Sequence, residues 1–321
     1  MKAEMNLNPR RKQLLALSGL MILALQASSF AQAPGMSVLK YPVGARANAL
    51  AGAFSAQAQD ASAVSWNPSA LSRLSSSQVY FYHSQFVMNT SYDYAAYAHP
   101  FGSHKAACGV AYGRLSQGSF DARDSQGDAS GNFDARDSFA AFSYARKISS
   151  AASFGFGVKY IQSTLASFSA KGFAADVSGS YLLNPRTRTA FGVYNMGARM
   201  KYISESFSLP TTLSLGLSRR FFSKLSVMMD GRYRVPDRNM SLSLGAEIDA
   251  AGALSFQMGY LSSLSQGKSS KPAGAGLDSI GGVGMGMSLN LFGRAGLDYA
   301  FVPMGELGVT HHMSLTWKFA R

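Results

Sequence analysis

The chain carries little charge and almost no cysteine. Only 15% of its 321 residues are Asp, Glu, Lys or Arg, while 47% are hydrophobic. Soluble domains usually carry about 25% charged residues. Cys108 stands alone, so no intramolecular disulfide can form and a disulfide-stapled secreted scaffold is excluded. The motifs of several chemistries are missing as well. There is no G-x-S-x-G elbow, H-E-x-x-H, Walker A loop or C-x-x-C pair, so no catalytic residues, metal site or cofactor are indicated. Beyond residue 31, no apolar run approaches the about 18 residues of a membrane-crossing helix. Lys and Arg outnumber Asp and Glu, 30 to 17, but beyond residue 31 they are spread along the chain without a cluster. Nucleic acid is therefore not an expected partner.

What is present begins at the N-terminus. Arg10, Arg11 and Lys12 precede an apolar run from Leu14 to Leu25, and Ser29-Phe30-Ala31 follows. This is the order of a secretory signal peptide, residues 1–31, with cleavage expected after Ala31. An exported chain without disulfides needs another source of stability, and the ladder of a closed β-barrel supplies one.

The remaining apolar residues recur with a period of two. Leu213, Leu215 and Leu217 alternate with Ser214 and Gly216. Leu242, Leu244, Ala246 and Ile248 alternate with Ser243, Gly245 and Glu247. Met285, Met287 and Leu289 alternate with Gly284, Gly286 and Ser288, and Met313, Leu315 and Trp317 with Ser314 and Thr316. A strand puts one set on each face. A soluble sandwich would bury the apolar face against a second sheet. A transmembrane barrel would turn it to lipid. About fourteen strands can be placed between 78 and 319, with short connections such as 148–151 and 184–187 and longer ones at 116–136, 199–210, 263–278 and 302–310. An even count and alternating connections favour an antiparallel transmembrane barrel over 77–321, in the cell outer membrane and in contact with its lipid.

Residues 32–76 lack the strand period. Asp60 can cap a short helix beginning at Ala61, and Asn67 a second one with Pro68 at its first position. The segment reads as a compact, partly helical plug, or alternatively as a solvated periplasmic leader.

The order Gly44-Ala45-Arg46-Ala47, Gly52-Ala53, Asp60-Ala61-Ser62-Ala63 and Trp66-Asn67-Pro68-Ser69-Ala70-Leu71 resembles the N-terminal signature of the PorV/PorQ family, which is related to FadL-type long-chain fatty-acid transporters. Gly157-Val158-Lys159-Tyr160, Asn195-Met196-Gly197 and Leu297-Asp298-Tyr299-Ala300 extend the resemblance. It implies a fourteen-stranded barrel whose plug motif includes Gly44, Arg46, Gly52, Asp60, Trp66, Asn67 and Pro68. It also implies secretion or surface attachment of cargo proteins, with secretion-system subunits as partners, or else a FadL-like channel for hydrophobic small molecules.

The period assigns the charges too. If Val158 and Tyr160 face lipid, Lys159 faces the lumen, and so do Asp176, Arg232, Glu247, Arg294, Asp298 and Lys318. A Lys or Arg on the lipid face at mid-depth would cost about 2–4 kcal/mol. His311 and His312 are neighbours in a strand, point to opposite faces and cannot readily share a metal. The acids at Asp121, Asp124, Asp128 and Asp134 could offer oxygens, but they share their loop with Arg123 and Arg136 and lack the spacing of a calcium loop.

Overall fold

Alternation in sequence becomes alternation in space. Leu215 and Leu217 are exposed, whereas Ser214, Gly216 and Ser218 between and beside them are buried. The computed structural model describes residues 35–86, 89–102, 105–123, 126–203, 205–263, 282–305 and 308–320. The expected signal peptide lies outside the described residues.

Sixteen strands follow one another among the described residues. They are β1 (Gln78–Gln85), β2 (Ser91–Phe101), β3 (Ala106–Arg123), β4 (Ala129–Lys147), β5 (Ala152–Leu165), β6 (Phe168–Asn184), β7 (Thr187–Met196), β8 (Met200–Tyr202), β9 (Glu205–Phe207), β10 (Thr212–Phe221), β11 (Leu225–Arg234), β12 (Asn239–Ala251), β13 (Leu254–Ser263), β14 (Val283–Leu291), β15 (Ala295–Pro303) and β16 (Val309–Lys318). Fourteen of them close an antiparallel barrel, each paired with its sequence neighbour except where β7 pairs with β10. The pairing of β1 with β16, from Gln78↔Lys318 to Gln85↔His311, completes the ring. Both ends of the barrel chain therefore lie on one rim, with the connections 148–151, 185–186, 222–224, 252–253 and 292–294.

The outward face is apolar around the ring. Val110, Phe142, Val158, Leu244, Met258, Leu297 and Leu315 are all exposed. A continuous apolar exterior of this size has no place in water. Aromatic pairs mark the outward face toward both rims, with Tyr144 and Phe156 at 5.6 Å and Tyr160 and Phe173 at 5.4 Å between centroids. No described helix is long and apolar enough to cross a membrane.

Two expected loops are partly strand. The β3–β4 hairpin continues through much of 116–136, past an irregularity between Ser116 and Ser119, and Phe120 stacks on Phe133 at 5.4 Å. Cross-strand ladder and ring stacking prevail there over a Gly-, Ser- and Asp-rich composition that reads as loop. Arg123 donates to Gly127 O at 2.8 Å. Within 199–210, β8 and β9 form a separate hairpin outside the ring.

Candidate binding cavity

Residues 35–74 form short turns rather than strands. They comprise 3-10 turns at Ser37–Leu39 and Pro68–Arg73 and the helices α1 (Ala45–Ala49) and α2 (Ala63–Trp66). The expected capping needs correction. The second helix begins at Ala63, and Asp60 instead accepts from Ser62 N at 2.8 Å, ordering the turn before it. Pro68 does open a helical turn, but the Asn67 side chain makes no cap bond. It donates to Ser55 O at 2.9 Å and accepts from Ser69 Oγ at 2.6 Å, tying the two halves of the segment together.

The segment bonds to strands on every side. Ala45 N donates to Ser314 on β16 at 2.7 Å, and Ser243 on β12 donates to Ala51 O at 2.8 Å. Ser55 N donates to Asp230 on β11 at 2.9 Å, and Ser69 N to Ser178 on β6 at 3.0 Å. Ser65 meets Tyr94 on β2 at 3.1 Å. A segment bonded to inward residues around a closed ring lies inside that ring. Small wall residues admit it: a Cβ on Gly155 would meet the Ser69 backbone, one on Gly259 the Leu50 backbone, and one on Gly284 the Asn48 carbonyl.

Several charges inside the ring are paired. Arg46 Nε and Nη2 hold Glu247 Oε2 and Oε1 at 2.6 and 2.7 Å. Lys159 meets Asp176 at 2.7 Å and donates to Asn195 Oδ1 at 2.6 Å, while Asn195 N donates to Asp176 at 2.8 Å. Asn195 takes a φ of 57°, a conformation that asparagine tolerates better than most residues. Arg232 lies 3.5 Å from Asp230, donates to Gly52 O at 3.1 Å, and stands over the Trp66 ring at 4.4 Å. Trp66 donates Nε1 to Val43 O at 2.7 Å and meets Phe54 edge-on at 5.5 Å.

The assigned charges therefore have different fates. Lys159, Asp176, Arg232 and Glu247 make these contacts, and Asp298 is buried on β15, with Ser288 as its register partner. Lys318 ends β16 at the rim. Arg294 does not face the lumen; it lies exposed in the 292–294 turn, because β14 ends before it and the strand period lapses. Gly44 precedes α1 at a φ of 99°, with the Tyr80 hydroxyl where a Cβ would stand. The residues missed are Asp230, Asn195 and Arg234. The alternation Ser226, Met228, Asp230, Arg232 already puts Asp230 on the inward face.

Above the segment, toward the β8–β9 side, a cavity of about 340 Å³ remains. The segment lines it mainly with apolar groups, Val38, Pro42, Val43 and Trp66, together with Lys40 and Ser65; the barrel wall includes Lys159, Asn195, Ser214, Arg232 and Ser243. Its size falls in the usual range for small-molecule pockets, roughly 300–1,000 Å³. His312 is buried away from this space, between Tyr82 at 2.9 Å and Thr310 at 3.0 Å, while His311 is exposed.

Fold and interior together define a closed fourteen-stranded barrel of the outer-membrane type, with an apolar exterior and an occupied lumen. Solved structures of that fold match it over nearly their full length. The Pseudomonas putida toluene transporter TodX has a TM-score of 0.61 at 14% identity, covering 85% of this chain and 96% of its own. The CymD monoaromatic hydrocarbon channel has 0.64 at 12%, covering 89% and 100%. A Pseudomonas aeruginosa FadL homologue has 0.60 at 11%, covering 87% and 99%. No family model and no curated protein matches the sequence. The similarity in hand is one of fold.

Proposed function

We propose that the chain is a non-enzymatic outer-membrane channel for small hydrophobic molecules, with residues 35–74 as its plug. The observation that carries this is the amphipathic cavity. A mainly apolar patch centred on Trp66 faces a polar wall whose Lys159, Arg232 and Arg234 each already meet a carboxylate. Such a space favours a compact apolar solute, because burying apolar surface contributes about 25 cal/mol per Å² and the paired wall asks for no charged ligand. Among the barrels named above are a toluene transporter and a monoaromatic hydrocarbon channel, which supports this reading. Secretion or surface attachment of proteins rests on the order of sequence motifs alone, and nothing in the cavity favours it.

Trp66 reports on the proposal directly. The chain has two tryptophans, and Trp317 lies on the outward face. In a Trp317→Phe background, titration of the purified barrel with toluene should change the remaining fluorescence saturably. A linear response equal to that of free tryptophan overturns the assignment.

A further inference from the structure

A second polar cluster lies at the opposite end of the interior, below the segment. Arg73 ends the Pro68–Arg73 turn and reaches onto β6, donating Nη1 to Ser180 at 3.3 Å and Nη2 to Ala58 O at 2.6 Å. Its Nε is buried without a hydrogen-bond partner. Ser180 pairs in register with Ala190, and the next inward residue toward the 185–186 turn is Arg188. On β10, Arg188 faces Ser218, and the next inward residue toward the same rim is Arg220. Three guanidinium groups thus gather where the segment meets the short-turn rim: Arg73 from its turn against β6, half-buried Arg188 on β7, and Arg220, exposed at the rim, on β10.

Among the described residues, none of the three forms an ion pair. Glu247 lies within electrostatic reach of Arg220 but is clamped by both Arg46 nitrogens. Asp249, two strands from Arg220, accepts the Ser255 hydroxyl at 2.9 Å. Burial, and then the Arg188 charge, push the Arg73 guanidinium down to about 9, which still leaves it charged at neutral pH. Arg46, Lys159, Arg232 and Arg234 each meet a carboxylate elsewhere in the interior, so this cluster departs from that pattern. Guanidinium forks match tetrahedral and planar oxyanions, and such charge-assisted bonds are about twice as strong as neutral ones.

We propose that Arg73, Arg188 and Arg220 form a binding site for a phosphate-class oxyanion at the short-turn mouth of the barrel. The bound anion supplies the missing negative charge and an acceptor for Arg73 Nε. The site is separate from the hydrocarbon cavity and independent of the function proposed for it.

Equilibrium dialysis of labelled inorganic phosphate against the purified full barrel in nonionic detergent, at constant ionic strength, tests this. A short-chain phosphatidic acid forms a second arm and separates a free anion from a lipid headgroup. Saturable binding of either probe is expected. Arg188→Gln and Arg220→Gln should each weaken it by about tenfold or more, since each removes charge-assisted bonds to the anion. Arg219→Gln is the control, because Arg219 points outward over the Phe221 ring at 5.0 Å. Arg73→Gln should act likewise, and if it fails to assemble, the two strand variants still decide. Absence of saturable binding in the parent overturns the proposal. So does binding that survives Arg188→Gln or that falls equally in Arg219→Gln.

Discussion

Arg46 and Glu247 stand far apart in sequence and meet in a two-bond fork inside the ring, at 2.6 and 2.7 Å. The fork joins the segment's first helix to β12. Burial works against the Arg46 charge, yet Glu247 holds its pKa above the ordinary arginine value. Gln257 Nε2 also donates to Glu247 at 3.3 Å, so the carboxylate is served from both the segment and the next strand.

Breaking one half of this pair should destabilise the fold. Removing one partner of a buried ion pair typically costs about 3–5 kcal/mol, while replacing both with apolar residues is often neutral. Glu247→Gln should lower the temperature at which the barrel loses its compact mobility on unheated gels. The double variant Arg46→Met, Glu247→Leu should recover most of the loss. If Glu247→Gln matches the parent, the fork contributes nothing to stability.

The two faces of β10 give a second expectation. Leu215 is 49% exposed and Ser214 only 8%. Leu215→Arg puts a cation on the apolar exterior, at a cost of about 2–4 kcal/mol near mid-membrane. Assembly yield should fall sharply. Ser214→Arg points into the cavity, where it should leave assembly intact and abolish the saturable Trp66 response to toluene. Equal assembly yields for the two variants would count against the face assignment.

How far the sequence carried can be judged at particular residues. Lys159 was placed inward by the apolar pair Val158 and Tyr160, and it is buried between two exposed side chains. Its partners were not legible, because Asp176 and Asn195 reach it through the β5–β6–β7 registers, which alternation alone does not fix. Arg294 failed because a period says nothing once a strand has ended. The β3–β4 extension failed because pairing and the Phe120–Phe133 stack outweigh local composition. The cavity was invisible for a different reason: Val38, Trp66, Asn195 and Arg232 come together only when the segment is inside a closed ring.

Glycines on the inward face yield a third prediction. At Gly259 and Gly284 the segment's backbone occupies the space of any side chain. Gly259→Val or Gly284→Val should leave the barrel closed but displace α1 and loosen the segment. The readout is protease sensitivity within residues 42–65, which should rise in both variants. Gly252→Val is the comparison, since nothing lies within 4 Å of its Cβ position, although its φ of 56° adds local strain at the turn. Unchanged protection in the Gly259 and Gly284 variants would mean the segment is held elsewhere.

The last prediction concerns whether the segment closes the lumen. Trp66 is 6% exposed, enclosed by Phe54, Arg232 and the Val43 carbonyl. In the Trp317→Phe background it should resist iodide and acrylamide far better than free tryptophan. Residues 42–65 contribute α1, the Arg46 fork, the Val43 carbonyl and the contacts of Ser55 with β11, while Trp66 and the Pro68–Arg73 turn remain when they are deleted. The fourteen-strand ladder does not depend on them, since each strand is paired on both sides by strands alone. Deletion of 42–65 should therefore leave a heat-modifiable barrel, expose Trp66 to both quenchers, and raise the uptake of small polar solutes by cells. Polar solutes are the discriminating probe, because a hydrophobic channel with its plug in place should exclude them. If Trp66 in the intact barrel is quenched like free tryptophan and the deletion leaves polar uptake unchanged, the segment does not seal the lumen, and the plug reading fails.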